Sequence, residues 1–111
     1  MQRPELSIVV QRGPDEVVCH LTGEIDVLTV TTLSAMVNEV LAEGPLSRIV
    51  LDMKGVTFCD SQGLGTLVVL SRKAQHARTV LSLTNIGDFL QRVLDITGLR
   101  SALMITDDTR T

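Results

Sequence analysis

The eight residues FCDSQGLG, at positions 58–65, place the hydroxyl of Ser61 between the carboxylate of Asp60 and two glycines, directly after an apolar run. Three roles fit a serine in this setting. It could cap a helix, act as the nucleophile of a hydrolase, or be a site that another protein phosphorylates. Each role requires something different of the neighbouring sequence.

As a helix cap, the Ser61 hydroxyl would accept hydrogen bonds from the backbone N–H groups of Gly63 or Leu64, and the Asp60 carboxylate would interact favourably with the helix dipole. This role leaves the glycines unexplained, because a glycine inside a helix costs about 0.5–1 kcal/mol relative to alanine. Gly63 and Gly65 therefore indicate that something approaches the helix backbone closely.

The nucleophile role lacks the residues that would support it. A hydrolase elbow has the pattern GxSxG, but Cys59 stands at the position of its first glycine. The two histidines are His20, on a predicted strand face, and His76, late in a predicted helix and facing solvent. The segment GLGTL also lacks the lysine and the glycine spacing of a Walker motif. The sequence thus predicts no catalytic residue and no enzyme.

As a phosphate acceptor, Ser61 would be an exposed hydroxyl at a helix N-terminus, with small neighbours that leave room for a kinase. Phosphorylation adds a charge of about −1.5 to −2, here beside the carboxylate of Asp60. The helix can tolerate this charge, while the surface that it presents to a partner becomes much more negative. The pattern is consistent with a switch that controls an interface.

The composition limits the classes of function. A length of 111 residues predicts one domain, spanning 1–111. Hydrophobic residues make up 44% of the chain and aromatic residues 2%, so the core must consist mainly of Val, Leu and Ile, and few side chains could stack on bases. A formal net charge of -3 argues against direct nucleic-acid binding, which normally needs a basic patch.

No apolar stretch reaches the ~20 residues that cross a bilayer, and the N-terminus lacks the layout of a secretory signal. We therefore expect a cytoplasmic protein with no membrane partner. Cys19 and Cys59 are far apart and form no CxxC motif or His cluster, so the sequence predicts no metal site, no disulfide and no cofactor. Both are expected to be reduced, buried thiols. The alternative is that Cys59 is a redox sensor.

Hydrophobic spacing predicts the elements that position the serine. Two short strands, 6–11 and 17–21, flank the turn segment RGPD and are predicted to form a hairpin. Helical spacing begins at Val30, and the pair Gly44 and Pro45 ends that helix.

The segment RIVLDM, at 48–53, predicts a central strand that is buried on both faces apart from Asp52. Helical spacing returns after Ser61, so FCDSQGLG at 58–65, which we call the acceptor segment, lies between a strand and a helix. Another strand is expected at 79–83.

A third helix is predicted to bury one apolar face, formed by Ile86, Phe89, Leu90, Val93 and Leu94, and Gly98 after it suits a left-handed C-terminal cap. A short apolar segment at 102–105 and a polar tail at about 106–111 complete the chain. The order ββαβαβα with an extra terminal element predicts an α/β fold. We expect a mixed β-sheet of four to five strands that contains parallel neighbours, with helices packed on it.

Three segments resemble, in the same order, those of the STAS-domain anti-sigma factor antagonists, small bacterial regulators of sporulation and general stress. FCDSQGLG after RIVLDM is similar to the family's DSxG signature, LTGEIDVLT at 21–29 to its GE(L/I)D segment, and LTNIGDFLQRVLDITGL at 83–99 to its late helix and TGL ending. The resemblance covers nearly the whole chain. It implies a single STAS-like domain.

The resemblance also implies a mechanism. Ser61 would be phosphorylated, and the partner would be an ATP-using anti-sigma factor serine kinase. The unphosphorylated form would capture the kinase and free a sigma factor, phosphorylation would release the kinase, and a metal-dependent serine phosphatase would reset the switch. Family members often have Ser or Thr after the acceptor, whereas this chain has Gln62.

The predicted partner-binding surface combines the acceptor segment with the residues that match GExD. Its members are Glu24, Asp26, Asp60, Ser61, Gln62, Gly63, Leu64 and Gly65. Asp26 is also close enough to the first helix to cap it, so both roles stay open, and Gly23 is expected at a turn. Two alternatives remain: a phosphorylation-independent STAS interaction or scaffold module, in which Ser61 is a cap, and a small-ligand or nucleotide sensor.

Overall fold

The structure is a computed structural model that describes residues 5–106. Strands and helices alternate along these residues as β1 (Leu6–Arg12), β2 (Glu16–Ile25), α1 (Val30–Ala42), β3 (Arg48–Cys59), α2 (Ser61–His76), β4 (Val80–Thr84), α3 (Asp88–Thr97), a 3-10 turn (Leu99–Ala102) and β5 (Met104–Thr106). The predicted order of elements is confirmed. The predicted tail begins at Thr106, which lies in β5, and its remainder at 107–111 falls outside the described residues.

The five strands form one sheet in the order β1-β2-β3-β4-β5, which confirms the predicted mixed sheet. β1 is antiparallel to β2, and the other three neighbouring pairs are parallel. Each connection between two parallel strands leads to the next strand of the sheet, and all three connections move across the sheet in the same direction. Because such crossovers are almost always right-handed, all three helices pack on one face of the sheet.

This one-sided arrangement corrects the prediction that β3 is buried on both faces. Ile49, Leu51 and Met53 are buried, but Val50 between them is half-buried and so is Asp52. Successive side chains of a strand point to opposite faces, and the helices cover one of them. The alternation in β3 follows from that cover.

Aliphatic side chains fill the core between the sheet and the helices, as the composition predicted. The largest fully buried ones are Leu21, Ile25, Leu33, Ile49, Leu51, Met53, Leu67, Leu70, Leu83 and Leu94. The two phenylalanines lie outside this core: Phe58 and Phe89 stack on each other with ring centroids 5.9 Å apart and remain 41% and 50% exposed. Phe89 had been expected on the buried face of α3. Gly98 caps α3 with φ of 75°, as predicted.

Two strands are longer than predicted, and their extra residues position the site. β2 continues to Ile25 and β3 continues to Cys59. The additional residues of the two strands pair with each other, and the last pair is Ile25 with Cys59. Gly23 therefore lies within a strand and not in a turn. Its φ is 120°, and a Cβ there would lie 2.1 Å from the Glu5 carbonyl oxygen, so both the backbone conformation and the close approach of the chain require glycine.

None of the helices between residues 5 and 106 has the length and apolarity that a bilayer-spanning helix needs.

Candidate functional site

The acceptor segment begins helix α2, but the residue that caps the helix is Asp60 and not Ser61. Asp60 has an extended backbone, with φ of -88° and ψ of -175°, and its Oδ1 accepts a hydrogen bond of 2.8 Å from the Gly63 N–H. Ser61 is the first helical residue. The alternative in which Ser61 is the cap is therefore wrong by one position, because the residue before the first helical one has the backbone conformation that lets its side chain reach the N–H groups.

Capping by Asp60 leaves the hydroxyl of Ser61 free for chemistry. Ser61 is exposed, and its side chain makes no hydrogen bond to any other residue of the described part of the chain. Gln62 beside it is also exposed. An accessible hydroxyl at the positive end of a helix is a setting in which a phosphate can be both added and stabilised.

The two glycines of the segment have different roles. Gly63 is buried, and a Cβ on it would lie 2.6 Å from the Ile25 carbonyl oxygen and 3.0 Å from Cys59 Sγ. The close backbone approach expected of the glycines is therefore real at Gly63. A Cβ on Gly65 would have no heavy atom within 4 Å, and Gly65 is exposed. For Gly65 the expectation was wrong within the described chain.

The end of β2 holds the acceptor segment from the side. The Asp60 N–H donates to the Ile25 carbonyl over 3.1 Å, and Ile25 pairs with Cys59 in the sheet. This contact places Glu24 and Asp26, on either side of Ile25, next to the start of α2. The structure thus brings together the two segments that the sequence had suggested as one surface.

Asp26 organises the entry into α1. Its Oδ1 accepts hydrogen bonds from the N–H groups of Leu28 and Thr29, at 3.0 and 3.1 Å. The Thr29 hydroxyl donates in turn to the Glu24 carbonyl over 2.8 Å. Thr29 is the cap residue of α1 and makes no capping bond with its side chain, so the carboxylate of Asp26 supplies the local acceptors instead. Asp26 therefore has the structural role, and its partner contact stays a prediction.

Two exposed apolar side chains beside the site were not predicted from the sequence. Val27 is 60% exposed and Leu28 is 56% exposed, directly after Asp26. No signal in the local sequence distinguishes them, because their exposure follows from the turn that the Asp26 carboxylate forms with the Leu28 and Thr29 N–H groups. Leu64, by contrast, was predicted to contact a partner but is 4% exposed and packs in the core. Its predicted contact stays a prediction.

Ser61 opens onto a groove between α1 and α2. A surface depression there is lined by Ser34 of α1 and by Ser61, Gln62, Gly65, Thr66 and Val69 of α2. The absence of a side chain at Gly65 widens this depression. We call the whole furrow between the two helices the α1–α2 groove.

The residues that could activate Ser61 lie elsewhere. His20 is on the sheet, where its Nδ1 lies 2.8 Å from Asp52 Oδ2 and its Nε2 lies 3.0 Å from Gln11 Oε1. His76 is the last residue of α2, about 22 Å along the helix from Ser61. Among residues 5–106, no group of three or more His, Cys, Asp or Glu side chains could hold a metal ion.

Both cysteines are free and buried, as predicted. Burial raises the pKa of Cys59 to about 12, with a further contribution from the Asp60 charge, and burial raises the pKa of Cys19 to about 11. A thiol must ionise to react readily, so burial and the raised pKa values disfavour reaction of either cysteine near neutral pH. The redox-sensor alternative for Cys59 finds no support in this geometry.

Comparisons with known proteins agree with the fold. A family model described as the STAS domain matches residues 7–110. An anti-sigma-B factor antagonist of Bacillus subtilis (strain 168) is 30% identical over 101 residues, which are 91% of this chain and 91% of that protein.

Among solved structures, the anti-sigma factor antagonist SpoIIAA in its unphosphorylated form has a TM-score of 0.77 at 22% identity and covers 94% of this chain and 90% of its own. The Bacillus cell fate determinant SpoIIAA in the phosphorylated form has a TM-score of 0.71 at 22% identity, covering 94% and 93%. At these identities the structural similarity shows the fold alone. Because the STAS model covers almost the whole chain and a relative is 30% identical across most of both proteins, this protein belongs to the STAS domain family.

Proposed function

We propose that this protein is an anti-sigma factor antagonist that is controlled by phosphorylation of Ser61. The unphosphorylated form binds an anti-sigma factor that is also an ATP-using serine kinase, and this binding frees a sigma factor. Phosphorylation of Ser61 releases the kinase, and a metal-dependent serine phosphatase restores the binding form. The observation that carries the proposal is the exposed, unbonded hydroxyl of Ser61 at the start of a helix that Asp60 already caps.

Asp60 caps the helix and Ser61 does not, and this difference supports Ser61 as the phosphate acceptor. If Ser61 were the cap, its hydroxyl would be engaged with backbone N–H groups, and phosphorylation would disrupt the helix start. Because Asp60 holds the Gly63 N–H, the Ser61 hydroxyl can be modified while the helix remains capped. The added phosphate then lies at the positive end of the helix dipole, which favours a negative charge.

The predicted interface surrounds this hydroxyl. Exposed Gln62 and the exposed apolar pair Val27 and Leu28 provide a surface that a partner can bury, and the carboxylates of Glu24 and Asp26 lie beside it. Buried apolar side chains supply affinity, while charged groups mainly govern specificity. A phosphate at Ser61 would introduce repulsion at the centre of this surface.

The protein acts in this scheme as a regulated binding partner and not as an enzyme, and it needs no cofactor. The kinase supplies the ATP and the phosphatase supplies the metal. Partners that bind ATP and sigma factors place the protein in the cytoplasm, without direct contact to nucleic acid or membrane.

A phosphorylation assay tests the proposal. The purified protein is incubated with Mg-ATP and the anti-sigma serine kinase of the same organism, and the intact mass is measured. We expect the wild type to gain one phosphate and Ser61→Ala to gain none, while Ser61→Ala still binds the kinase and is not released by ATP. Full phosphate incorporation into Ser61→Ala would move the acceptor elsewhere, with exposed Thr57 the first residue to examine. A wild type that binds the kinase but gains no phosphate would favour a phosphorylation-independent STAS module instead.

A further inference from the structure

The α1–α2 groove continues far beyond the acceptor serine. A second depression lies at the C-terminal end of α2, lined by Leu41 of α1 and by Val69, Arg72, Lys73, His76 and Ala77. Val69 belongs to both depressions and is 56% exposed. The two depressions therefore meet at Val69 and together extend from Ser61 to His76, and the far half combines an apolar floor with basic side chains.

The basic side chains of this far half form no ion pair within the described chain. Ion pairs among residues 5–106 join Arg12 to Glu43, His20 to Asp52, Arg48 to Glu16 and Arg100 to Asp95, and none of them involves α2. Lys73 donates a hydrogen bond to the neutral side chain of Asn38. A concentration of unpaired positive charge is unexpected in a chain of net charge -3. The far half of the groove is thus electrostatically suited to a negatively charged partner.

We propose that this far half, formed by Leu41, Val69, Arg72, Lys73 and His76, is a second contact site for the anti-sigma kinase, which binds it with an acidic segment that carries an apolar side chain. The apolar side chain would pack on Leu41 and Val69, and the carboxylates would face Arg72 and Lys73. This inference rests on the proposed function, because it assumes that the kinase is the partner.

The dimensions of α2 allow one partner to contact both halves of the groove. Ser61 and His76 are separated by about 22 Å along the helix axis. A standard interface buries about 800 Å² on each partner, a patch roughly 30 Å across. A kinase centred on the groove can therefore reach both the acceptor serine and the basic cluster.

The same separation makes the second contact independent of the switch. Exposed charges are largely screened beyond about 8–10 Å at physiological salt, so a phosphate on Ser61 hardly affects Arg72 or Lys73. The phosphorylation state of Ser61 then decides whether the kinase is bound, and Arg72 and Lys73 contribute to which kinase is bound.

Charge reversal tests the inference. Arg72→Glu is compared with Arg92→Glu, which changes an exposed arginine on α3 by the same charge. Affinities for the anti-sigma kinase of the same organism are measured by titration calorimetry, with the unphosphorylated and the phosphorylated form of each protein. We expect Arg72→Glu to weaken binding about tenfold, because it places like charges in contact, and Arg92→Glu to change it less than twofold. Raising the salt concentration should weaken the wild type more than Arg72→Glu.

The two proposals fail in different ways. If Arg72→Glu binds within twofold of the wild type while phosphorylation still releases the wild type, the second contact is wrong and the proposed function stands. If the unphosphorylated wild type does not bind the kinase at all, the proposed function fails and the inference fails with it. If Arg72→Glu alters self-association in sedimentation experiments but not kinase affinity, the groove accepts a second copy of this chain instead. If the factor by which phosphorylation weakens binding differs between wild type and Arg72→Glu, the two contacts are not independent. Circular dichroism confirms that each variant is folded.

Discussion

The two ends of helix α2 differ in how the rest of the chain holds them. At the N-terminal end, Asp60 caps the helix, its N–H bonds to Ile25, and Gly63 lies against the same carbonyl. At the C-terminal end, the side chains of Arg72 and His76 lie in solvent, without an ion pair inside residues 5–106. One end is fixed by the backbone of a neighbouring strand, whereas the other presents exposed basic side chains.

This difference suggests why a switch would be placed at the fixed end. Because the backbone around Ser61 is held by the sheet, a phosphate there changes the charge of the surface more than its shape. The exposed basic side chains at the other end are available to acidic side chains of a partner, which suits recognition. The contrast predicts that changes at the N-terminal end are large and specific and that changes at the C-terminal end are modest and dependent on salt.

The largest expected effect is that of phosphorylation on kinase affinity. Like-charge repulsion at an interface can cost several kcal/mol, and each 1.4 kcal/mol is tenfold, so phosphorylation should weaken binding about a hundredfold or more. The backbone should hardly move. Amide shifts in NMR spectra should cluster at 59–66 and 23–28, with helix content retained. Shifts that extend to 89–99, or a loss of helicity, would contradict local repulsion and indicate a conformational switch.

The paired glycines provide the next test. Gly63→Ala should lower the free energy of unfolding by about 1–3 kcal/mol, because its Cβ would lie 2.6 Å from a backbone oxygen that cannot move alone. Gly65→Ala is the matched control and should raise it by about 0.5–1 kcal/mol, because its Cβ meets open space and alanine favours the helix. Urea unfolding measures both. Equal effects at the two positions would mean that β2 does not fix the start of α2.

The cap and the acceptor can be separated by substitution. Asp60→Ala should lower the free energy of unfolding by about 0.5–2 kcal/mol, and Asp60→Asn, which can still cap, should retain most of the stability. Ser61→Ala should change it by less than about 0.5 kcal/mol, since its side chain is exposed and unbonded. Thermal unfolding distinguishes these cases. A larger loss of unfolding free energy for Ser61→Ala than for Asp60→Ala would show that Ser61, and not Asp60, caps the helix.

Most of the fold was predictable from local patterns. Gly44 and Pro45 end α1, Gly98 ends α3, and hydrophobic periods separate strands from helices, so the order of elements followed from neighbouring residues. The C-terminal parts of β2 and β3, at 22–25 and 54–59, could not be predicted from neighbouring residues. The segment KGVTFC at 54–59 has no clear alternation, and it is a strand because it pairs with β2, more than 30 residues earlier in the chain. A local pattern cannot show such a partner.

The site was predictable in its members but less so in their roles. The acceptor and GEID segments do lie together, yet Asp and Ser are both good caps, and local sequence could not decide that Asp60 is the one before the first helical residue. Gly63 and Gly65 look alike in sequence, and only the position of Ile25 distinguishes them. The exposure of Val27 and Leu28 depends on the turn that the Asp26 carboxylate forms.

The smallest expected effect concerns Cys59, which lies beneath the fixed end of α2. In the folded protein at neutral pH, it should not react with Ellman's reagent, because it is 4% exposed and burial, with the Asp60 charge, raises its pKa to about 12. After unfolding in guanidinium, both cysteines should react. Rapid reaction of Cys59 in the native protein would contradict this account and restore the redox-sensor alternative.

The raised pKa also predicts how stability depends on pH. The native state favours the neutral thiol, so its contribution is complete below the unfolded pKa of about 8.5 and is lost as the pH rises from there toward the folded pKa of about 12. Between those values the free energy of unfolding of the wild type should fall more steeply with pH than that of Cys59→Ala, by at most about 1.4 kcal/mol per pH unit. Cys19, whose pKa is raised to about 11, is present in both proteins and cancels in the comparison. Parallel pH profiles of the two proteins would show that the thiol beneath Gly63 is solvated, and hence that the fixed end of α2 is less tightly packed than its geometry indicates.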